Sequence, residues 1–478
     1  MSIETAVLVR RNAWTLPNGD ETLAAYAAAV RAMRERDADN PTSWAYQAAM
    51  HGTSAEPPEP LWNGCQHGSW FFLPWHRMYV YFFERIVRAA VQETGGPADW
   101  ALPFWDYGAG GVQATLPLAF RDSPGGDNPL FVAERDPRVN SGRGAIPLSA
   151  GSPAAALERP LFIGRTQFGG DVTRVGQFWR SPGVLEQTPH NILHGLVGGD
   201  DGLMSNPLTA ALDPIFWLHH ANIDRIWFDW AGEPPHADPS DSRWTDQTFS
   251  FFDEAGQQVQ LTGAEIGDIS GQLGYTYESA PTSGAPTSRP EAVTMSTPNP
   301  PDPEQAEMVG ASEQPTELAG APADVTVPID RATVESLAGG GNAPEALSER
   351  HVYLNLEDIE GERNPGTAYG IYVNLPEGAS AAQAASHHVG NLSFFGIEQL
   401  REPRGDEQAH GLRYTVDISD LARELAAQGS WNEDALHVTF RPIEPVDPEA
   451  PEEEQHAVPE SLSEHSPVQV GRVSVFYG

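Results

Sequence analysis

The chain has 478 residues, with 66 acidic against 28 basic side chains and a formal net charge of −38. All 28 basic residues are arginine; the sequence contains no lysine. A field of that sign repels phosphate backbones and anionic headgroups, which excludes nucleic acid and membrane surfaces as partners and favours cations or neutral small molecules. The length predicts about two or three domains, and no apolar run reaches the roughly 18–20 residues of a membrane-spanning helix. The opening MSIETAVLVRRNAWTLPNGD carries Arg10–Arg11 but no apolar stretch behind them, so no export signal is read. The expected location is cytoplasmic, or exported on a partner's signal. A single cysteine, Cys65, excludes an intramolecular disulfide.

In chain order, apolar periodicity predicts helices over Glu21–Arg36, Pro41–His51, Trp75–Glu93 and Pro214–Trp230. Gly- and Pro-rich loops separate the second helix from the third and fill Gly108–Gly183. From Thr248 to Glu278 the sequence turns strand-like, in FSFFDEAG and LGYTYE. Ala280–Gln314 clusters its prolines and has few large apolar residues, so it cannot bury enough surface to order itself. It predicts an exposed linker open to proteolysis. Beyond it, HVYLNLEDI, AYGIYVNL, LRYTVDI, LHVTFRPI and VGRVSVFYG alternate between turn signals and predict an antiparallel β-sandwich. The acidic stretch Pro445–Pro467 reads as a solvated loop within it. The expected domains are 1–279 and 316–478, joined by a linker over 280–315.

The chemistry lies in the histidines of the first part. His51 is followed by CQHGSWFFLPWHR, which contributes His67 and His76; PHNILHG contributes His190 and His194; DPIFWLHHANIDRIW contributes His219 and His220. His190 and His194, four apart, share one face of a helix. Adjacent residues on a helix point about 100° apart, so one of His219 and His220 faces the site and the other stands behind it. Three helical segments and a loop thus place histidine beside Phe, Trp and Leu, where an unpaired imidazole is costly to bury. Six neutral imidazoles, three and three, match two soft-to-borderline metal ions. With no thiolate cluster and no carboxylate in ligand position, copper is preferred over iron, manganese or calcium, and zinc stays open on ligand type alone.

HGSWFFLPWHRMYVYFFE and DPIFWLHHANID resemble the two signatures of the tyrosinase family of type 3 copper proteins. The resemblance implies a mainly α domain built on a four-helix bundle. It places two coppers there, one on His51, His67 and His76 and the other on His190, His194 and His220, with His219 outside. FSFFDEAG with LGYTYE is similar to the segment after the core of plant polyphenol oxidases, and the sandwich is similar to the domain that keeps such enzymes latent. Cys65, two residues before His67, matches the cysteine that in fungal tyrosinases and molluscan haemocyanins forms a thioether to that histidine; a small buried thiol is the plain alternative.

The implied activity is oxidation of o-diphenols, and of monophenols, to o-quinones, with dioxygen as co-substrate and a small phenol as partner. Glu186 and Asn191 match the pair that takes the phenol proton, although Glu186 also reads as an ordinary helix N-terminal carboxylate. Trp70, Phe72, Trp75, Phe216 and Trp217 would keep water out. Pro207 stands where some relatives carry a bulky gate, Arg225 is expected in a structural ion pair, and His387–His388 in a loop or at the surface. The alternatives are a haemocyanin-like oxygen carrier and an o-aminophenol oxidase. A copper-delivery partner is a further expectation; the natural phenol, the lid residue and the oligomeric state are not readable.

Overall fold

The computed structural model describes residues 7–17, 20–56, 59–121, 126–176, 181–278, 306–337, 350–400, 411–432, 434–449 and 466–478. Helices dominate its first half. α1 (Thr22–Arg34) buries Ala25, Tyr26, Ala29, Val30 and Met33, an i, i+4, i+8 stripe that faces the core. α2 (Trp44–His51) starts where the Ser43 hydroxyl accepts from the Tyr46 amide at 3.1 Å. α3 spans Phe72–Glu93, beginning three residues before the expected Trp75. Pro74 then sits in the first turn, where its missing N–H breaks no helical bond. α4 (Ile192–Gly198) follows a wide turn, Glu186–Asn191, in which Thr188 is extended. α5 (Pro214–Gly232) has proline at its start and Asp213 as its cap, accepting from Ile215 N at 3.0 Å. Asp213 is itself gripped by buried Arg135 at 2.7 and 2.8 Å. No helix among the described residues is long and apolar enough to cross a membrane.

α3 lies between α1 and α5, and α2 leans on α1. The backs of α3 and α5 are joined to both ends of this body through charge. Four short strands border it: β1 (Leu8–Arg10), β2 (Thr248–Phe252), β3 (Gln258–Thr262) and β4 (Tyr275–Tyr277), with β1 parallel to β4 and β2 antiparallel to β3. Arg10 of β1 reaches Glu84 at 2.6 Å and Asp224 at 3.1 Å. Asp224 also accepts from Arg77 at 2.5 Å and from the hydroxyls of Tyr275 and Tyr277 at 2.6 Å each. Burial alone would raise the Asp224 carboxyl; Arg77 and Arg10 hold it below the usual range.

The C-terminal part is β. One sheet runs β10 (His388–Leu392), β9 (Ala368–Val373), β12 (Ala435–Ile443), β7 (Ala323–Pro328). The other runs β11 (Leu412–Asp417), β8 (Val352–Gly361), β13 (Val468–Tyr477), β5 (Glu307–Ala311), with β6 (Thr316–Leu318) also on β13. All these pairings are antiparallel, and Val325 and Val327 of β7 turn inward while their neighbours face out. The strands quoted from the sequence are all present. Two boundaries shift. The linker was expected to run to 315, but Glu307–Ala311 is strand, because Val309 is a core residue and the segment pairs with β13. The acidic stretch from Pro445 is not all solvated: Val446 exchanges both backbone hydrogen bonds with Ala145 of the helical part, at 2.7 and 2.9 Å. Most of the linker, and residues 450–465 of that stretch, lie outside the described residues.

Asp224 is the shared acceptor of two buried guanidiniums and two phenols, so Asp224→Ala leaves charges without a partner. Thermal and urea unfolding of the full chain should show a loss of about 3–5 kcal/mol; a change within 0.5 kcal/mol would show that the network carries no stability.

Candidate metal centre

The structure brings together every histidine singled out in the first half. His51, His67 and His76 form one group and His190, His194, His219 and His220 another; within each group ring nitrogens lie within 4.8 Å of one another, and all seven residues are buried. The elements aim them. His51 ends α2, His76 is one turn into α3, His194 lies on α4, and His219 and His220 lie on α5. His67 and His190 come from irregular backbone, the loop after Cys65 and the wide turn before α4. His387 and His388 stay in the C-terminal part, bonded to Val373 O and Asn391. Arg225 pairs with Asp106 and Asp229.

Each ring is held from behind. The Nδ1 atoms of His51, His76 and His194 donate to the carbonyls of Pro207, Phe72 and Met204, each at 2.8 Å. That of His190 meets Asn191 Oδ1 at 2.8 Å, and that of His67 meets Glu186 Oε1 at 3.2 Å. With Nδ1 carrying the proton, Nε2 presents a lone pair. The Nε2 atoms of His76, His190, His194 and His220 are buried without any protein partner, and those of His51 and His67 face each other at 3.2 Å. Burial, reinforced by neighbouring imidazoles, pushes His67, His76, His190, His194 and His220 well below the ordinary histidine range, and burial lowers His51 to about 4. These are neutral imidazoles with converging lone pairs, which is what a soft-to-borderline dication needs from its ligands. The residues present fit a pair of metal ions.

Around them stand Phe72, Trp75, Phe216 and Trp217, all buried, as is Trp70. Glu186 accepts from the Gly68 amide at 2.7 Å through Oε1, while its Oε2 is buried and unpartnered; burial raises its carboxyl to about 8. Pro207 orients His51 through its carbonyl.

Two contributors were missed from the sequence. Tyr107 places its hydroxyl 3.1 Å from His219 Nδ1. Phe395, from the C-terminal part, stacks on His194 with centroids 4.0 Å apart and planes at 15°, and lies 5.7 Å from His67 and 5.8 Å from His190. A signal existed: Phe394–Phe395 before Gly396 breaks the strand alternation with two adjacent large apolar residues, both of which are buried. The same part also touches the helical body through Ser393 Oγ to Asn191 O at 2.9 Å, Asn391 to Ser149 O at 2.8 Å, Asn206 to Glu398 at 2.7 Å and Arg363 to Asp201 at 2.6 Å.

Residues 41–147 and 157–233 match the family described as "Common central domain of tyrosinase", and 238–289 match "Polyphenol oxidase middle domain". Tyrosinase HcTyr1 of Hahella sp. (strain CCB-MM4) is 33% identical over 91% of this chain and 95% of its own length. The chain belongs to the tyrosinase family. Residues 305–478 match a "Domain of unknown function (DUF7868)". The latent polyphenol oxidase of Prunus armeniaca is 27% identical over 86% of this chain and 69% of its own length. Among solved structures, latent apple tyrosinase superposes with a TM-score of 0.62 at 21% identity, covering 99% of this chain and 98% of that one, a likeness of fold.

Membership in the tyrosinase family makes the chain a copper-dependent oxidoreductase that acts on phenols with a dinuclear copper pair and dioxygen. The oxygen-carrier alternative finds no support among these relatives. The expectation of a cytoplasmic protein is withdrawn: relatives from Prunus armeniaca and Ipomoea batatas are chloroplastic proteins, so the family is not tied to the cytoplasm. The lack of an apolar stretch near residue 10, on which the expectation rested, says nothing of compartment.

Proposed function

We propose that this tyrosinase-family chain converts o-diphenols and monophenols to o-quinones at a copper pair held by His51, His67 and His76 and by His190, His194 and His220, and that its C-terminal part keeps it latent. The observation that carries the reading is the set of buried, unpartnered Nε2 atoms brought together among aromatic side chains, with Phe395 from the C-terminal part stacked on His194. The copper pair, when bound, supplies the electron transfer between phenol and dioxygen. The chain's own residues do the rest.

His219 is left out of the ligand set because its Nδ1 is engaged by the Tyr107 hydroxyl at 3.1 Å, whereas neither nitrogen of His220 has a partner among the described residues. The Nε2 of both is buried and unpartnered, so the choice follows the family pattern. Glu186 keeps its Oε2 buried and unpartnered, and Asn191 anchors the His190 ring; with the Glu186 carboxyl ionised, together they would hold the water that removes the proton of a monophenol. Cys65, buried two residues from His67, is read as the thioether partner that pins that loop-borne ring, which no helix orients. The aromatic walls exclude water, which strengthens these interactions.

In architecture, α2, α3, α4 and α5 are read as a four-helix bundle around the pair, and the two C-terminal sheets as a sandwich, with the two bodies meeting across a linker in the 280–306 region. Phe395 stacks on His194 where the ring of a phenol must come, so the docked C-terminal part competes with substrate. The contacts that dock it come from residues 363 and beyond. Cutting the linker therefore turns the two bodies into a non-covalent complex, and activity appears as that complex separates. A copper-delivery partner and an oligomer remain outside this reading.

Copper analysis of the loaded full chain should give two ions per chain; His220→Ala should drop this to one, and His219→Ala should leave it at two. One ion in the His219 variant and two in the His220 variant would reverse the assignment. Glu186→Ala should slow hydroxylation of a monophenol by about 10²–10⁴-fold while oxidation of catechol falls far less; equal losses would remove the base. In the uncut chain, Phe395→Ala should raise catechol turnover, and limited proteolysis should do so for the wild type. Uncut wild type already as fast as either would end the latency reading.

A further inference from the structure

An o-quinone is an electrophile, and a protein that releases it is the first thing it meets. A neutral primary amine adds to a ring carbon: the new N–C bond forms, a ring proton and an amine proton move to solvent and to the quinone oxygens, and the ring returns to the catechol level without any external oxidant. A second quinone can then oxidise that adduct, being itself reduced to catechol, and a second amine can add, which joins two chains. Thiolates add in the same way. The lysine amine has a pKa of about 10.4 and so always keeps a small free-base fraction at neutral pH, whereas the arginine guanidinium stays protonated and delocalised and offers no lone pair.

On that chemistry this chain has one consistent feature from end to end. All 28 basic residues are arginine and none is lysine. The one thiol, Cys65, is buried at 9% exposure. Apart from the terminal α-amino group, the chain offers no primary amine.

Ion pairing does not require this choice. Arg31, Arg331 and Arg423 have side chains 46%, 53% and 38% exposed and pair with the exposed carboxylates of Asp127, Asp434 and Asp420, with Arg31 also donating to Asp127 O at 3.2 Å and Arg423 to Arg350 O at 3.4 Å. Such pairs contribute about 0–1 kcal/mol, and a lysine ammonium serves them as well. What separates the two residue types at these positions is nucleophilicity. The arginines of the interior are different: Arg10, Arg77 and Arg135 each bond several groups at once, a task for a planar fork.

We infer that the surface of this chain is depleted of the groups its own product attacks fastest: with arginine in every cationic position and its thiol enclosed, it lacks the side-chain amines through which a diffusing o-quinone arylates and cross-links proteins, and only imidazoles such as exposed His437 are left to add to it. The inference rests on the reading that the product is an o-quinone. It also places the next step of the reaction sequence. The quinone is consumed by addition of amines or thiols belonging to other molecules, not by the enzyme.

The test uses o-benzoquinone prepared chemically and added to the purified full chain, so that it does not depend on turnover. The comparison is Arg31→Lys/Arg331→Lys/Arg423→Lys, three exposed changes remote from the histidines. The wild type should stay monomeric on a denaturing gel and take up few quinones by intact mass, at its α-amino group and exposed imidazoles. The variant should gain up to three further adducts, form covalent oligomers and lose more of its catechol turnover during exposure. Equal labelling of the two proteins, whether both heavy or both absent, would overturn the inference. Catechol turnover measured before exposure tests the underlying reading separately: an inert surface on a chain without turnover would sink the reading and not the labelling result.

Discussion

Imidazole nitrogens held out of water with no donor opposite them are the constraint around which this molecule is built. Each unsatisfied buried polar atom costs roughly 1–3 kcal/mol, and here the Nε2 atoms of His76, His190, His194, His219 and His220 are buried without a partner among the described residues while those of His51 and His67 face each other at 3.2 Å. Protonation offers no relief, because burial holds the rings neutral. Such an arrangement is tolerable only if the surrounding structure over-determines it and if a cation completes it. The carbonyls of Pro207, Phe72 and Met204 do the first part by fixing which nitrogen carries the proton. Phe72 is four residues from its ring and Met204 ten, but Pro207 lies 156 residues from His51, so the full centre exists only in the finished fold.

The frame that bears this cost is ionic as well as hydrophobic. α3 and α5 carry three of the seven histidines, and on their far side Asp224 collects Arg10, Arg77, Tyr275 and Tyr277. That network ties residues 10 and 277, the two ends of the helical body, to the same carboxylate. Burial of a charged pair gains little by itself; its value here is registry. It holds the far face of α5, the helix on which His220 has both nitrogens unpartnered and His219 has Nδ1 against the Tyr107 hydroxyl. The ends being fixed to the body also explains how the helical part can keep its shape when the chain beyond residue 278 is severed.

Much of the centre was legible in the sequence, because metal ligands are set by residue type and spacing. The seven histidines that cluster were all singled out that way, their division into ligands and bystander following the family resemblance, and the strands of the C-terminal part by their alternation. What escaped depended on contacts between distant segments. Phe395 reads as one more core aromatic until the docking of two bodies puts it on His194. Tyr107 lies in a Gly-rich loop with no pattern of its own. The end of the linker was misplaced because Met308 and Val309 are too few to mark a strand alone, yet one buried valine and a partner in β13 suffice. The expected start of α3 at Trp75 falls three residues late, since Pro74 fits the first turn of a helix that begins at Phe72.

The way the C-terminal part is attached determines how it can leave. Apart from Phe395 and the Val446–Ala145 strand contact, its named links to the helical body are polar: Asn391, Ser393, Glu398 and Arg363 bonding to Ser149, Asn191, Asn206 and Asp201. Groups of this kind exchange their partners for water at a net cost of only about 0.5–1.5 kcal/mol each, and the exposed Arg363–Asp201 pair at less. Among the apolar contacts, one ring reaches the histidines, that of Phe395. Withdrawing that ring leaves a hole of the size and character of a phenol, so substrate can offset the lost stacking in kind. A lid of this design is held by many weak, replaceable contacts and one that the substrate itself can replace. That makes its release a matter of competition and effective concentration, and the role of the covalent linker is to keep that concentration high until it is cut.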